Sequence, residues 1–330
     1  MTIRTTRRAL IGSALTVPFW RTRPAQAATD ASGYPSQNIR LIIPFLAGGA
    51  ADIVARIVAQ HLGDKFGRAV ICDNRPGAGS NIGTELAANS PADGYTLLVQ
   101  GNPLASNIFL FKKVGYDPIK SFVPVAMHYR DYNVLIVNPS FEANSVEDVI
   151  KIAKERPGQL TFSSSGNGTS THLAGELFCD MAGVKMVHVP YRGVPPAVLA
   201  VMSGEVTMMF AGYGVVSGYI KENKLKGLAV TGPHRLKMAA NLPTVAESGL
   251  AGFDATTWTG MFAPAGTPDA IVRKLNSEIN HILEVPNVRE GLEKRGFIVE
   301  AMTPEQVGKV VLEDMDRYGA IIRKTGAKAD

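Results

Sequence analysis

Short apolar runs alternate with amphipathic stretches along most of this chain, and that alternation restricts its fold more than any other feature. Runs at 39–45, 69–72 and 95–100 enclose helix-period stretches at 51–66 and 81–88. This is the pattern of a largely parallel sheet with helices on its faces. The rhythm returns with strand-like runs at 160–164, 186–189, 206–210 and 225–230 and helix-like stretches at 172–181 and 197–202. Two α/β units are implied. A chain of 330 residues, 45% hydrophobic and 19% charged, buries a real core, and its length exceeds what one core usually fills. The strand-like segments 133–137 and 257–263 read as the two places where the chain crosses between units. The expected architecture is α/β, two lobes joined by two crossing strands, with residues 28–133 and 257–330 forming a discontinuous lobe 1 and 134–256 forming lobe 2. The tail reads as helices at 271–283, 288–294 and 304–322, the last opened by Thr303-Pro304-Glu305 as N-cap, first-turn proline and first-turn acid. These helices are expected on the first unit.

Residues 1–27 form a separate segment: a basic start ending in Arg7-Arg8, an apolar stretch at 9–20, and a small-residue exit Ala25-Gln26-Ala27. That is the layout of a secretory signal peptide cleaved after Ala27. The apolar stretch is shorter than the roughly 20 residues a membrane span needs, so a soluble periplasmic product is expected. The Arg7-Arg8 pair resembles a twin-arginine export signal, and the general secretory route stays open. The leader also explains the formal charge of +5: without Arg4, Arg7, Arg8, Arg21 and Arg23, 29 basic residues face 29 acidic ones. A neutral mature chain without a basic run argues against nucleic acid as a partner. Cys72 and Cys179 fall in different expected lobes and read as two buried free thiols.

In open α/β sheets, small ligands sit at the carboxyl ends of strands. Two segments there carry suitable chemistry. Phe45-Leu46-Ala47-Gly48-Gly49 follows the first strand and opens the first helix, so that two glycines permit close backbone approach and the helix start offers bare amides to an anion. Ser165, Gly166, Gly168, Thr169, Ser170, Thr171 and His172 occupy the equivalent place in the second unit, with hydroxyls added. The same residues also serve as ordinary turns and caps. In magnitude the anion reading is sufficient: each charge-assisted hydrogen bond is worth roughly 1.5–3 kcal/mol, against about 8 kcal/mol for micromolar affinity. After the next strand of the second unit, Tyr191 is a candidate flank for the ligand and Arg192 a candidate partner for a carboxylate.

Other chemistries find little support. The stretch Gly77-Ala78-Gly79-Ser80-Asn81-Ile82-Gly83 resembles a dinucleotide fingerprint but follows the second strand, not the first, so no cofactor is expected. His172 and Glu176 share a helix face without a partner cluster, and no metal is expected. A secreted α/β hydrolase would need a nucleophile with a base in reach, and the six scattered histidines suggest no pairing.

Several long motifs occur in order: PFLAGGAAD, NRPGAGSNIGTELAANSPADGYTLL, SSSGNGTSTHLAGELF, VPYRG, LPTVAESGLAGF and WTGMFAPAGTP. With the leader, they resemble the Bug family of extracytoplasmic solute-binding receptors of tripartite tricarboxylate transporters. The resemblance implies a type II periplasmic-binding-protein fold, Venus-flytrap closure, no catalysis, and delivery of a small organic carboxylate to a two-component membrane permease; a monomer is expected. It also implies that a ligand carboxylate is held by backbone amides and waters at the loops matching Phe45 to Gly49 and Gly166 to His172. Family members often carry an aspartate after the strand at 206–210, where this chain has Ala211-Gly212-Tyr213. Tyr213 is then a candidate ring wall. A receptor serving a membrane sensor remains an alternative to transport.

Overall fold

The computed structural model describes residues 31–329, so the expected leader and its cleavage point at Ala27 lie outside the described residues. The first sheet has the order β2-β1-β3-β10-β4. Its strands are β1 (Ile39–Ile43), β2 (Val70–Asn74), β3 (Thr96–Gly101), β4 (Phe122–Asp131) and β10 (Thr257–Pro264). The second sheet has the order β7-β6-β8-β5-β9. It contains β5 (Asn133–Val137), β6 (Thr161–Ser164), β7 (Val187–Pro190), β8 (Met208–Gly212) and β9 (Lys226–Val230). The chain leaves the first sheet after Asp131, enters the second at Asn133, and re-enters the first at Thr257.

Around the first sheet lie α1 (Ala50–Phe66), α2 (Asn81–Ala88), α3 (Pro103–Leu110), α8 (Asp269–Glu284), α9 (Pro286–Glu293) and α10 (Pro304–Thr325). The second carries α4 (Val146–Glu155), α5 (Ser170–Ala182), α6 (Val194–Met202) and α7 (Tyr213–Lys221). Helical spacing decides which face each helix buries. In α8, Ile271, Leu275, Ile279 and Ile282 recur every three or four residues and are buried with Val54, Val58 and Leu62 of α1 over Leu41 and Leu97. On the opposite face Ile42, Leu98 and Phe262 pack with Val307 and Val311 of α10. In the second sheet every residue of the interior strand β5 is buried, as a strand covered on both faces requires.

Four elements were not anticipated: α3, β4, α4 and α7. β4 is an edge strand with Pro124 inside it, and edges are where a strand tolerates proline, so its sequence lacks a clean apolar run. The tail helices α8 and α9 pack on the first sheet as expected, but α10 also joins the second core through Tyr318, Ile321 and Ile322, beside Leu173 and Leu177 of α5. Cys72 in β2 and Cys179 in α5 are both free and half-buried rather than buried, and burial pushes both thiols up, that of Cys179 to about 12.

Strand register places the functional edge. β10 runs antiparallel to β3 and β4, pairing Thr259 with Gly101 and Thr257 with Asp131, so the carboxyl ends of β1, β3 and β4 share the edge from which the chain passes to the second sheet. β5 runs antiparallel to β8 and β9, pairing Asn133 with Gly212 and Val134 with Val230. The carboxyl ends of β6, β8 and β9 therefore lie at the edge where the chain arrives. Both sets of strand ends open toward the junction of the sheets.

Candidate functional site

The loop between β1 and α1 is exposed from Leu46 to Gly49, with Phe45 half-buried at its base. Gly48 has φ +81°, the left-handed region that glycine enters without steric cost, and a Cβ there would meet nothing within 4 Å. The loop is held from below by Asp52, only 2% exposed, which accepts hydrogen bonds from Gly48 N–H at 2.9 Å, Arg56 Nε at 2.9 Å and Asn74 Nδ2 at 2.9 Å. Burial works to raise the Asp52 carboxyl, but these bonds outweigh it and hold the group down at about 2. Asn74 Nδ2 also donates to Phe45 O at 3.1 Å. Asp52 thus uses one loop amide, and Arg56 offsets its charge. Gly49 caps α1 without a side-chain hydrogen bond, and the first helical amides, Ala50 and Ala51, have no intrahelical acceptor.

The loop between β6 and α5 is more self-contained. Thr171 Oγ1 accepts from Ser165 N–H at 2.9 Å and lies 3.0 Å from Ser165 Oγ and 2.9 Å from Thr169 Oγ1. Thr169 Oγ1 donates to Gly166 O at 2.7 Å and accepts from the His172 amide at 3.4 Å as the N-cap of α5. Gly166 and Gly168 take φ values of +133° and +76°, and Gly168 packs where a Cβ would come within 2.7 Å of Leu110 on α3. A loop already bonded to itself loses little entropy on binding. What it leaves over are the Ser170 and Thr171 amides at the start of α5.

His172 is a scaffold for this loop. Its Nδ1 accepts from Gly168 N–H at 3.1 Å, which places the ring proton on Nε2, 3.4 Å from Glu176 Oε1. The ring stacks on His188 with centroids 4.0 Å apart, and His188 stacks on Phe162 at 4.9 Å. His188 Nε2 lies 2.6 Å from Ser164 Oγ, so the histidines are not all scattered as the sequence suggested. The pair makes a poor nucleophile and base. Ser164 is fully buried and its Oγ accepts from Gly166 N–H at 3.1 Å, while burial and then His172 push His188 down to about 4.

The remaining candidates sit farther from these amides in chemical terms. Tyr191 donates its hydroxyl to Glu205 at 3.0 Å, and Arg192 is exposed. Tyr213, 6% exposed, donates to Met238 O at 3.0 Å and packs against Gly296, which is the arrangement of a packed ring. The Gly77–Ser80 turn, with positive φ at all four residues, belongs to a buried network: Gln100 Nε2 donates to Ser80 and Thr84, and Asn107 Nδ2 to Gly79 O and Asn81.

Sequence reasoning missed the polar residues at the junction. Asn102 Nδ2 donates to Asp314 at 2.7 Å and Tyr318 at 3.0 Å, and its Oδ1 accepts from Trp258 N–H at 3.1 Å, tying α3, β10 and α10 together. Asp131 and Asn133 flank the first passage between sheets. No spacing rule singles these out: Asn102 meets Tyr318 216 residues away, and Asn133 meets Thr231 98 residues away.

Among the described residues no group of three or more potential metal ligands occurs, and no helix is long and apolar enough to cross a membrane. Residues 54–327 match the model of the tripartite tricarboxylate transporter family receptor. The chain is 35% identical to the protein BugT of Bordetella pertussis, covering 94% of this chain and 96% of that one. It superposes on an R. palustris protein solved with adipate with a TM-score of 0.80 at 31% identity, over 89% of this chain and 99% of the other. MatC of Rhodopseudomonas palustris, solved with bound malate, gives 0.76 at 28% identity over 88% and 100%. With periplasmic binding proteins as structural neighbours and a family model spanning most of its length, the chain belongs to the tripartite tricarboxylate transporter receptor family, the periplasmic solute-binding receptors that include the Bug proteins.

Proposed function

We propose that this receptor captures a small organic carboxylate between its two lobes and presents it to the membrane permease of a tripartite transporter. The carrying observation is that α1 and α5 both begin at strand ends opening toward the junction, with the Ala50, Ala51, Ser170 and Thr171 amides uncommitted. Phe45, Ala47, Gly48 and Gly49 form one wall, and Ser165, Gly166, Gly168, Thr169 and the start of α5 the other. Tyr191 and Arg192 border it, Tyr213 packs behind it, and His172 positions its loop without touching ligand. A ligand held by amides from both lobes favours the closed form, because only there are both sets used. The adipate and malate complexes of relatives support a carboxylate of this size. The leader would deliver the chain to the periplasm and be cut after Ala27, leaving a monomer that binds without catalysis, metal or cofactor.

The test is a thermal-shift and calorimetric panel on the mature protein, with adipate, malate, other di- and tricarboxylates and aromatic acids as probes. A ligand at a hundredfold its Kd stabilises the native state by about 2.7 kcal/mol. A broad panel that produces no shift would remove the main support for the reading.

A further inference from the structure

Three buried polar atoms at the passage between the sheets have no hydrogen-bond partner among the described residues: Arg130 Nε, which has Glu300 as its ionic partner, and then Asp131 Oδ1 and Asn133 Nδ2. The last two adjoin one place. Asn133 opens β5 and is paired in register with Gly212, the last residue of β8. A methyl on Gly212 would lie 3.1 Å from the other oxygen of Asp131, Oδ2. The carboxylate therefore fills the space that glycine leaves at the end of β8. Buried polar groups are nearly always paired, and an acceptor and a donor left unpaired around one residue are a complementary set waiting for a third group.

The geometry points to Asp131 and Asn133 as a reading pair for a ligand group that donates and accepts at once, a hydroxyl above all: its O–H bonds to Asp131 Oδ1 and its oxygen accepts from Asn133 Nδ2. This rests on the carboxylate-receptor reading and adds a specificity element to it. The anionic end of the ligand meets helix amides, and its hydroxyl meets the pair at the junction.

The pair carries a pH signature. Burial raises the Asp131 carboxyl to about 7, with the Tyr132 amide opposing. The surrounding groups are few. Tyr129 on the same strand is itself pushed up by burial and by Asp131, and Arg130 faces Glu300 at 3.8 Å. Across β10, Thr257 donates its hydroxyl to Asp131 O, and β8 contributes Gly212. A hydroxyl donating to the ionised carboxylate lowers its pKa in the complex below that of the free receptor. The affinity gain is thus complete above about pH 7, is lost as pH falls through the lowered value, and is accompanied by proton release.

Calorimetry in two buffers of different ionisation heat, with malate against succinate, 2-hydroxyglutarate against glutarate and 3-hydroxybutanoate against butanoate, tests this. At pH 8 the hydroxylated member of at least one pair should bind on the order of 10- to 100-fold more tightly, a margin that shrinks by pH 5.5. Asp131→Asn should flatten the pH profile. Gly212→Ala, which crowds the carboxylate without altering it, should erode the same margin and guards against a folding defect in the first variant. If carboxylates bind but no pair separates by more than about threefold, or both variants keep the wild-type margin and profile, the reading pair is wrong and the receptor reading stands. If no carboxylate binds at all, the receptor reading falls first.

Discussion

At the scale of single residues, the least satisfied side chain is His128, fully buried in β4 with neither ring nitrogen bonded among the described residues. Burial pushes its pKa down to about 4 from 6.5. The unfolded chain therefore binds more protons between those values, so the folded state loses stability as pH falls through that window, by up to about 3 kcal/mol. His188 acts in the same direction and Asp131, raised to about 7, in the opposite one. A difference between variant and wild type isolates His128 from both. His128→Leu should stabilise the protein at pH 7 by about 1–3 kcal/mol, because two orphaned polar atoms disappear. Its advantage in urea unfolding should widen toward pH 4. An advantage that stays constant with pH would mean the ring finds a partner in solution.

Among the elements, α1 carries the sharpest test of the amide site, since its N-cap is a glycine with extended φ and ψ of −77° and 168° that any residue can adopt. Gly49→Asp should cap the helix, a gain of only a few tenths of a kcal/mol over glycine. It would also set a carboxylate on the Ala50 and Ala51 amides. Stability by thermal unfolding should hold or rise slightly while affinity for a carboxylate ligand drops by more than about tenfold; unchanged affinity would place the ligand elsewhere. Legibility at this scale followed periodicity. α1, α8 and α10 were readable because their apolar residues recur on one face, and the two loops because glycines and hydroxyls cluster after a strand. α3 and α7 were not: α3 buries Ser106 and Asn107 beside Leu104 and Leu110, and α7 is glycine-broken, so neither shows a clean stripe. The junction residues Asn102, Asp131 and Asn133 were invisible for another reason. For Asp131 and Asn133 the role depends on which distant strand ends lie beside them, which sheet order decides, and for Asn102 it depends on α10 bringing Asp314 and Tyr318 alongside.

For the molecule as a whole, the decisive question is how two sheets with separate cores behave as one unit, and the C-terminal helix supplies the physical link. α10 covers one face of the first sheet through Val307 and Val311, then buries Tyr318, Ile321 and Ile322 in the second core. Beyond these, the Arg323 cation over the Phe109 ring and the Ala329 N–H to Leu110 O bond tie α10 to α3, and the partly exposed Lys324–Asp180 ion pair ties it to α5. Apolar burial therefore dominates the link, since exposed ion pairs contribute at most about 1 kcal/mol each. Ile322→Ala, at a side chain 3% exposed, should cost about 2–5 kcal/mol. The cost should fall unequally. Trp258, the one tryptophan after residue 27, reports on the first sheet, and thiol labelling of Cys179 on α5 reports on the second. In the wild type their urea midpoints should coincide, whereas in Ile322→Ala Cys179 should become reactive at lower urea than Trp258 loses its fluorescence. Saturating ligand should then bring the two midpoints back together, because a molecule bonded to amides of both lobes replaces the missing coupling by about 2.7 kcal/mol at a hundredfold its Kd. If both midpoints instead move down in step, the coupling resides in the short passages at Tyr132 and Thr256, and α10 is a cover for the first sheet and not its tie to the second.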